Sequence, residues 1–186
     1  MEMSDKYNFS KGGRLNFALH QNPLFVMSAK NLLYSLVCLC FAIVIGAAVY
    51  EHSGVVPQWS AAPPASLSMF QGKYGLAAQN FWMPIHPICL VLFLLNSVLF
   101  WKTDRKKPLL VAFAGYFLVL VITAIFFVPE LLDITGTPYS ETTDAVLTQR
   151  ANRWEMLSII RMIFLIGLAF VLFSGLTQSG EKRQTT

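Results

Sequence analysis

The sequence predicts an all-α fold: a four-helix transmembrane bundle with a long extracytoplasmic loop between helices 1 and 2. Three observations predict it. Four apolar runs each approach the roughly 20 residues that cross a bilayer, and together they take nearly half of the 186-residue chain. Charged residues are only 13% of the chain, about half the roughly 25% of a soluble domain. Lys and Arg are also shared unevenly between the segments that join the runs.

Residues 1–30 form a polar segment with Lys6, Lys11, Arg14 and Lys30, read as cytoplasmic, with 15–27 suited to the membrane interface and His20 a solvated histidine. The four-span membrane domain covers 31–176, with spans at about 31–50, 81–101, 109–132 and 156–176. The first span follows a polar leader too long for a signal peptide and is read as retained, despite the small residues Gly46, Ala47 and Ala48. Between the first two spans, residues 51–79 carry Pro57, Pro63, Pro64, Gly54, Gly72 and Gly75, all breakers of regular structure. Trp59, Met69, Phe70 and Tyr74 make this loop aromatic, and it is expected to fold down as a cap.

Trp82 and Trp101 flank the second span where indoles prefer the membrane interface. Residues 102–108 form a tight basic turn, with Pro108 suited to open the third span. A second loop, 133–143, leads into one long helix from about Asp144, polar in its first third and spanning thereafter. The polar tail, 177–186, is read as cytoplasmic. Ten of the fourteen Lys and Arg lie in the N-terminal segment, the tight turn and the tail; Lys73, Arg150, Arg153 and Arg161 lie on the other side. By the positive-inside rule both termini are cytoplasmic, in a plasma or bacterial inner membrane.

Composition also excludes. No Lys/Arg-rich run is interleaved with aromatics, so nucleic acid is not an expected partner. Cys38, Cys40 and Cys89 lie in apolar runs without a C-x-x-C spacing and read as small buried hydrophobes. Four spans without repeats leave a transporter no second half to rock against. The half of each span remote from the polar cluster is apolar apart from Asn96, which argues against a channel; Asn96 is expected to bond a neighbouring helix. Gly167 and Gly175 would permit close helix contact.

Ionisable groups in the spans gather toward one end, and alternating helix direction brings them to one membrane level. Glu51 and His52 end the first helix, His86 lies about a turn into the second, Glu130 ends the third, and Arg161 sits inside the fourth. Arg150, Trp154, Ser158 and Arg161 are 4, 4 and 3 residues apart and share a helix face, as do Thr123 with Glu130 and Trp82 with His86. Charges in a span are costly and should meet partners inside the bundle. Three readings follow. One is a structural ion pair of Arg161 with Glu130 or Glu51. Another is a metal or haem site on His52 and His86, completed by Glu51 or Glu130. The third assigns no metal: His86, Glu130 and Arg161 are catalytic in a pocket open to the outside, with Glu51, His52, Trp82, Trp154 and Ser158 binding substrate.

The third helix ends Phe126-Phe127-Val128-Pro129-Glu130, and the fourth carries Asn152-Arg153-Trp154 and Arg161. With the long proline-containing first loop, this resembles the small anthrone-oxygenase-like membrane family over roughly residues 30–176. The resemblance implies an oxidoreductase of oxygenase type acting on a small hydrophobic or aromatic molecule. It also implies that Trp154 and Arg161 line the pocket and that Pro129 shapes the end of the third helix. The rival class is a non-enzymatic membrane subunit or small-ligand binder. The lipid bilayer and a small hydrophobic substrate are the expected partners, with a homo-oligomer and the cofactor left open.

Overall fold

The computed structural model describes residues 28–178, so the N-terminal segment with its interfacial stretch and His20, and nearly all of the tail, lie outside the described residues. Among the described residues there is no strand, and four helices are long and apolar enough to span a membrane. The chain is helical as expected.

Helix α1, Ala29–Gly54, runs four residues past the predicted span and takes Glu51 and His52 into its last turns. The segment read as a loop is largely ordered into short elements: α2, Val56–Ser60, opens with Pro57, and a 3₁₀ segment covers Ala65–Phe70. Helix α3, Gln79–Leu99, holds Pro84 and Pro87, which donate no N–H to the carbonyls of Asn80 and Met83. Helix α4, Lys106–Ile122, widens into a π segment at Thr123–Phe127 and continues as α5, Val128–Thr135. Helix α6, Ala145–Ser174, starts where Asp144 accepts the amides of Val146 and Leu147 at 2.7 and 2.9 Å, satisfying two orphan donors.

The spans alternate in direction. One end of the bundle, here the loop end, carries α2, the 3₁₀ segment and the starts of α3 and α6; the other, the turn end, carries residues 100–105. Two cores stack along the axis. Tyr34, Phe41, Phe93, Tyr116 and Leu168 belong to the larger one; Trp59, Leu67, Phe127, Ile134 and Trp154 belong to the smaller one at the loop end. The aromatic segment is thus packed into the protein through Val56, Trp59 and Leu67. Ser60 Oγ donates to Glu155 at 2.6 Å, and the Asp144 amide donates to the Pro63 carbonyl at 3.0 Å. Met83, Val98, Ile125 and Phe170 remain at least 70% exposed, an apolar outer surface suited to lipid rather than water.

Asn96 donates to the Leu33 carbonyl of α1 at 3.2 Å, as expected. The glycine expectation holds at Gly175 and fails at Gly167. A Cβ on Gly175 would collide with the Tyr34 phenol, whereas one on Gly167 would meet nothing within 4 Å. The close approach of α4 and α6 lies instead at Gly115, whose Cβ would stand 2.7 Å from Leu168 Cδ1. The three cysteines are buried free thiols.

Candidate functional site

Helix α6 sets its polar stripe into the bundle: Trp154 is 5% exposed and Ser158 fully buried. Two turns below Trp154, Arg161 donates through Nη2 to Ser158 Oγ at 2.7 Å and through Nη1 to Thr123 Oγ1 at 3.1 Å. Its guanidinium carbon lies 4.1 Å from the Phe127 ring centroid, a cation–π contact. All of these partners are neutral. The expected ion pair of Arg161 with Glu130 or Glu51 does not form; neither carboxylate is within salt-bridge distance, although the charge of Glu51 acts on Arg161 through space.

The reason lies in helix rise and in Pro129. Glu130 stands seven residues beyond Thr123, roughly 10 Å along the axis at 1.5 Å per residue. An arginine that reaches Thr123 therefore leaves Glu130 to a residue nearer the start of α6. Pro129 supplies no N–H to the Ile125 carbonyl, and the i→i+5 turns of Thr123–Phe127 precede it, so the seven-residue spacing no longer fixes one face. Trp154 Nε1 donates to the Phe127 carbonyl at 2.9 Å and ties this widened stretch to α6. The ring of Phe127 touches both Trp154, at 5.9 Å between centroids, and Arg161.

A second wall links α1, α3 and α4. Trp82 Nε1 donates to Glu51 Oε1 at 2.8 Å, and the Trp82 ring stacks on His86 at 5.3 Å. His86 Nδ1 and Tyr116 Oη are 2.7 Å apart, and Tyr116 is fully buried. Sequence reasoning missed Tyr116. The signal was present, since Tyr116 stands seven residues before Thr123 on the same span. His52 belongs to the loop-end core side: its ring lies parallel to Trp154 at 6.4 Å, and Nδ1 is 2.7 Å from the Ala48 carbonyl. A carbonyl only accepts, so Nδ1 carries a proton, and Nε2 is buried without a hydrogen-bond partner among the described residues. The two histidines thus serve different walls. Among the described residues no group of three His, Cys, Asp or Glu is arranged to hold a metal ion, so the two-histidine, one-carboxylate set is not brought together.

An ion-pair cluster stands at the loop end. Arg150 makes a bidentate contact to Glu130, Nε–Oε1 at 2.8 Å and Nη2–Oε2 at 3.0 Å, and Nη2 also reaches Asp133 at 2.6 Å. A cleft of about 320 Å³ opens here, lined by Phe126, Glu130, Arg150, Arg153 and Trp154. Of the three predicted catalytic residues, His86 and Arg161 face the interior while Glu130 stands at this cleft, engaged by Arg150. Because the pair is partly exposed, Glu130→Gln should change unfolding free energy by no more than about 1 kcal/mol, measured by denaturant titration in detergent. A loss several times larger would show that the pair is screened from water.

Compared with protein-family models, curated proteins and solved structures, this chain matches none.

Proposed function

We propose that this is an integral membrane protein that binds a small hydrophobic or aromatic molecule through an acidic or enolic oxygen, with Arg161 as its anchor. The observation that carries the reading is the set of partners around Arg161: two hydroxyls and an aromatic face, with no carboxylate in contact. A guanidinium has five N–H donors, and those hydroxyls take two. Placing an arginine in a span costs about 2.5–3.5 kcal/mol on insertion scales. Neutral partners offset the lost hydration and Glu51 acts only from a distance, so an anionic oxygen in contact would compensate the charge. Glu130 and Asp133 pair with Arg150 at the loop end and leave Arg161 as it is.

The enzymatic form of the reading is an oxidoreductase- or oxygenase-like reaction on the bound molecule. It is supported by the family resemblance at residues 126–130 and 152–154 and by the His86–Tyr116 contact, two groups able to pass a proton at 2.7 Å.

The test uses 2-naphthoate and its methyl ester with protein purified in mild detergent. The carboxylate should raise the melting temperature saturably, the ester should not, and Arg161→Gln should abolish the difference. Equal responses to acid and ester, or an unchanged response in the variant, would reject the reading.

The orientation belongs to the same proposal, with the loop end outside and both termini cytoplasmic. Lys107 is exposed at the turn end and Tyr74 is 91% exposed at the loop end. In a background lacking the native cysteines, Tyr74→Cys should react with an impermeant thiol reagent on intact cells, and Lys107→Cys only after lysis. The opposite pattern would invert the topology.

A further inference from the structure

The cleft at the loop end has a charge pattern that the Arg161 reading does not use. One carboxylate and two guanidiniums line it, from Glu130, Arg150 and Arg153, and Asp133 against Arg150 brings the local sum of charge to zero. Glu130 and Asp133 occupy Arg150 Nε and Nη2, which fixes the plane of the guanidinium and leaves Nη1 without a hydrogen bond among the described residues. Arg153 is exposed and forms no ion pair among the described residues. Two guanidinium edges, one held rigid, therefore border the same small cavity. Arg forks of this kind match the oxygens of phosphate.

The other lining residues suit the headgroup level of a bilayer. Trp154 begins the change from the polar first third of α6 to its apolar remainder, and its indole forms one wall with Phe126. Near Phe126 in the chain, Ile125 and Val128 are 74% and 43% exposed, an apolar surface suited to lipid. A volume of about 320 Å³ suits a headgroup rather than a whole lipid.

We infer that this cleft binds the phosphodiester of a membrane phospholipid, with Arg153 and Arg150 Nη1 as its donors and the acyl chains lying over Ile125 and Val128. Recognition stops at the phosphate, so the head alcohol should matter little. A free phosphate ion would satisfy the same donors, but only a lipid uses the apolar surface beside them.

Native mass spectrometry of the delipidated protein tests this. Phosphatidylglycerol and phosphatidylethanolamine should each give one retained adduct per chain, and diacylglycerol, which lacks the phosphate, should give none. Arg153→Gln should weaken both adducts by roughly ten- to a hundredfold, the worth of a charge-assisted contact, while leaving the melting temperature unchanged. Equal retention of diacylglycerol, or undiminished phospholipid binding in the variant, would overturn the assignment. Displacement of the lipid by millimolar inorganic phosphate would make the cleft a site for the free ion and overturn the lipid assignment too.

Discussion

Trp154→Ala is expected to cost about 3–5 kcal/mol of unfolding free energy, the range for deleting a large buried aromatic side chain. The indole is 5% exposed and is the hub of the smaller core. Its ring centroid lies 5.5 Å from Trp59 of α2, 5.9 Å from Phe127 of the π segment and 6.4 Å from His52 of α1, so one side chain joins three separate parts of the chain to α6. Its Nε1 also provides a donor to the Phe127 carbonyl at 2.9 Å. Two variants separate these contributions. Trp154→Phe keeps an aromatic ring but removes the donor, and should lose about 1–3 kcal/mol, the cost of leaving a buried polar group short of its partner. Trp154→Ala removes both. Equilibrium unfolding in mixed micelles, with helicity as the readout, checks both values. An alanine variant as stable as the parent would mean that the aromatic segment is not anchored through this residue.

The smaller core explains how the long segment between α1 and α3 comes to order. Its prolines and glycines mark breaks in the sequence, and its aromatics mark a surface to be buried, so packing of some kind was legible. Which surface received it was not. Trp59 needs a partner at the start of α6, and that contact depends on how far α6 extends beyond the apolar zone and how it is rotated.

The four spans were legible because a 20-residue apolar run has few other solutions in a lipid solvent. The α6 stripe was legible because a 3.6-residue period over a continuous helix needs no tertiary information, and Asn96 because an amide in a span has little choice but a neighbouring backbone. The pairing of charges was not. Glu51, Glu130 and Asp133 share the loop-end half of the bundle with Arg150, Arg153 and Arg161, and spacing alone offers Arg161 to Glu130 as readily as it offers Arg150. The π turn and the reach of Arg161 to Thr123 decide, and residue spacing shows neither. Arg105 makes the same point at the turn end. It belongs to the tight basic turn, yet it is 6% exposed, bonds Asn31 Oδ1 at 2.8 Å and lies against the rings of Tyr34 and Phe100. Nothing in the local sequence separates it from Lys106 or Lys107.

The substitution Arg161→Met should separate function from stability most sharply. Had Arg161 been bonded to Glu130 inside the bundle, its removal would strand a buried carboxylate and cost roughly 3–5 kcal/mol. Its contacts are instead Thr123 Oγ1, Ser158 Oγ and the Phe127 ring. Thr123 already donates to the Val119 carbonyl at 2.7 Å, so loss of the arginine leaves its donor satisfied. Ser158 is fully buried and loses its only side-chain partner among the described residues, a penalty of about 1–3 kcal/mol. Against that stands relief of part of the roughly 2.5–3.5 kcal/mol that a cation costs on insertion in a span, with Met filling a similar linear volume. The two nearly cancel, so the melting temperature should stay within a few degrees of the parent or rise. The acid-dependent shift with 2-naphthoate should vanish in the same variant, because Met has no donor for an oxygen anion. A variant that unfolds at a much lower temperature would assign Arg161 a structural role and return the missing counter-charge to Glu51, the carboxylate whose field already reaches it.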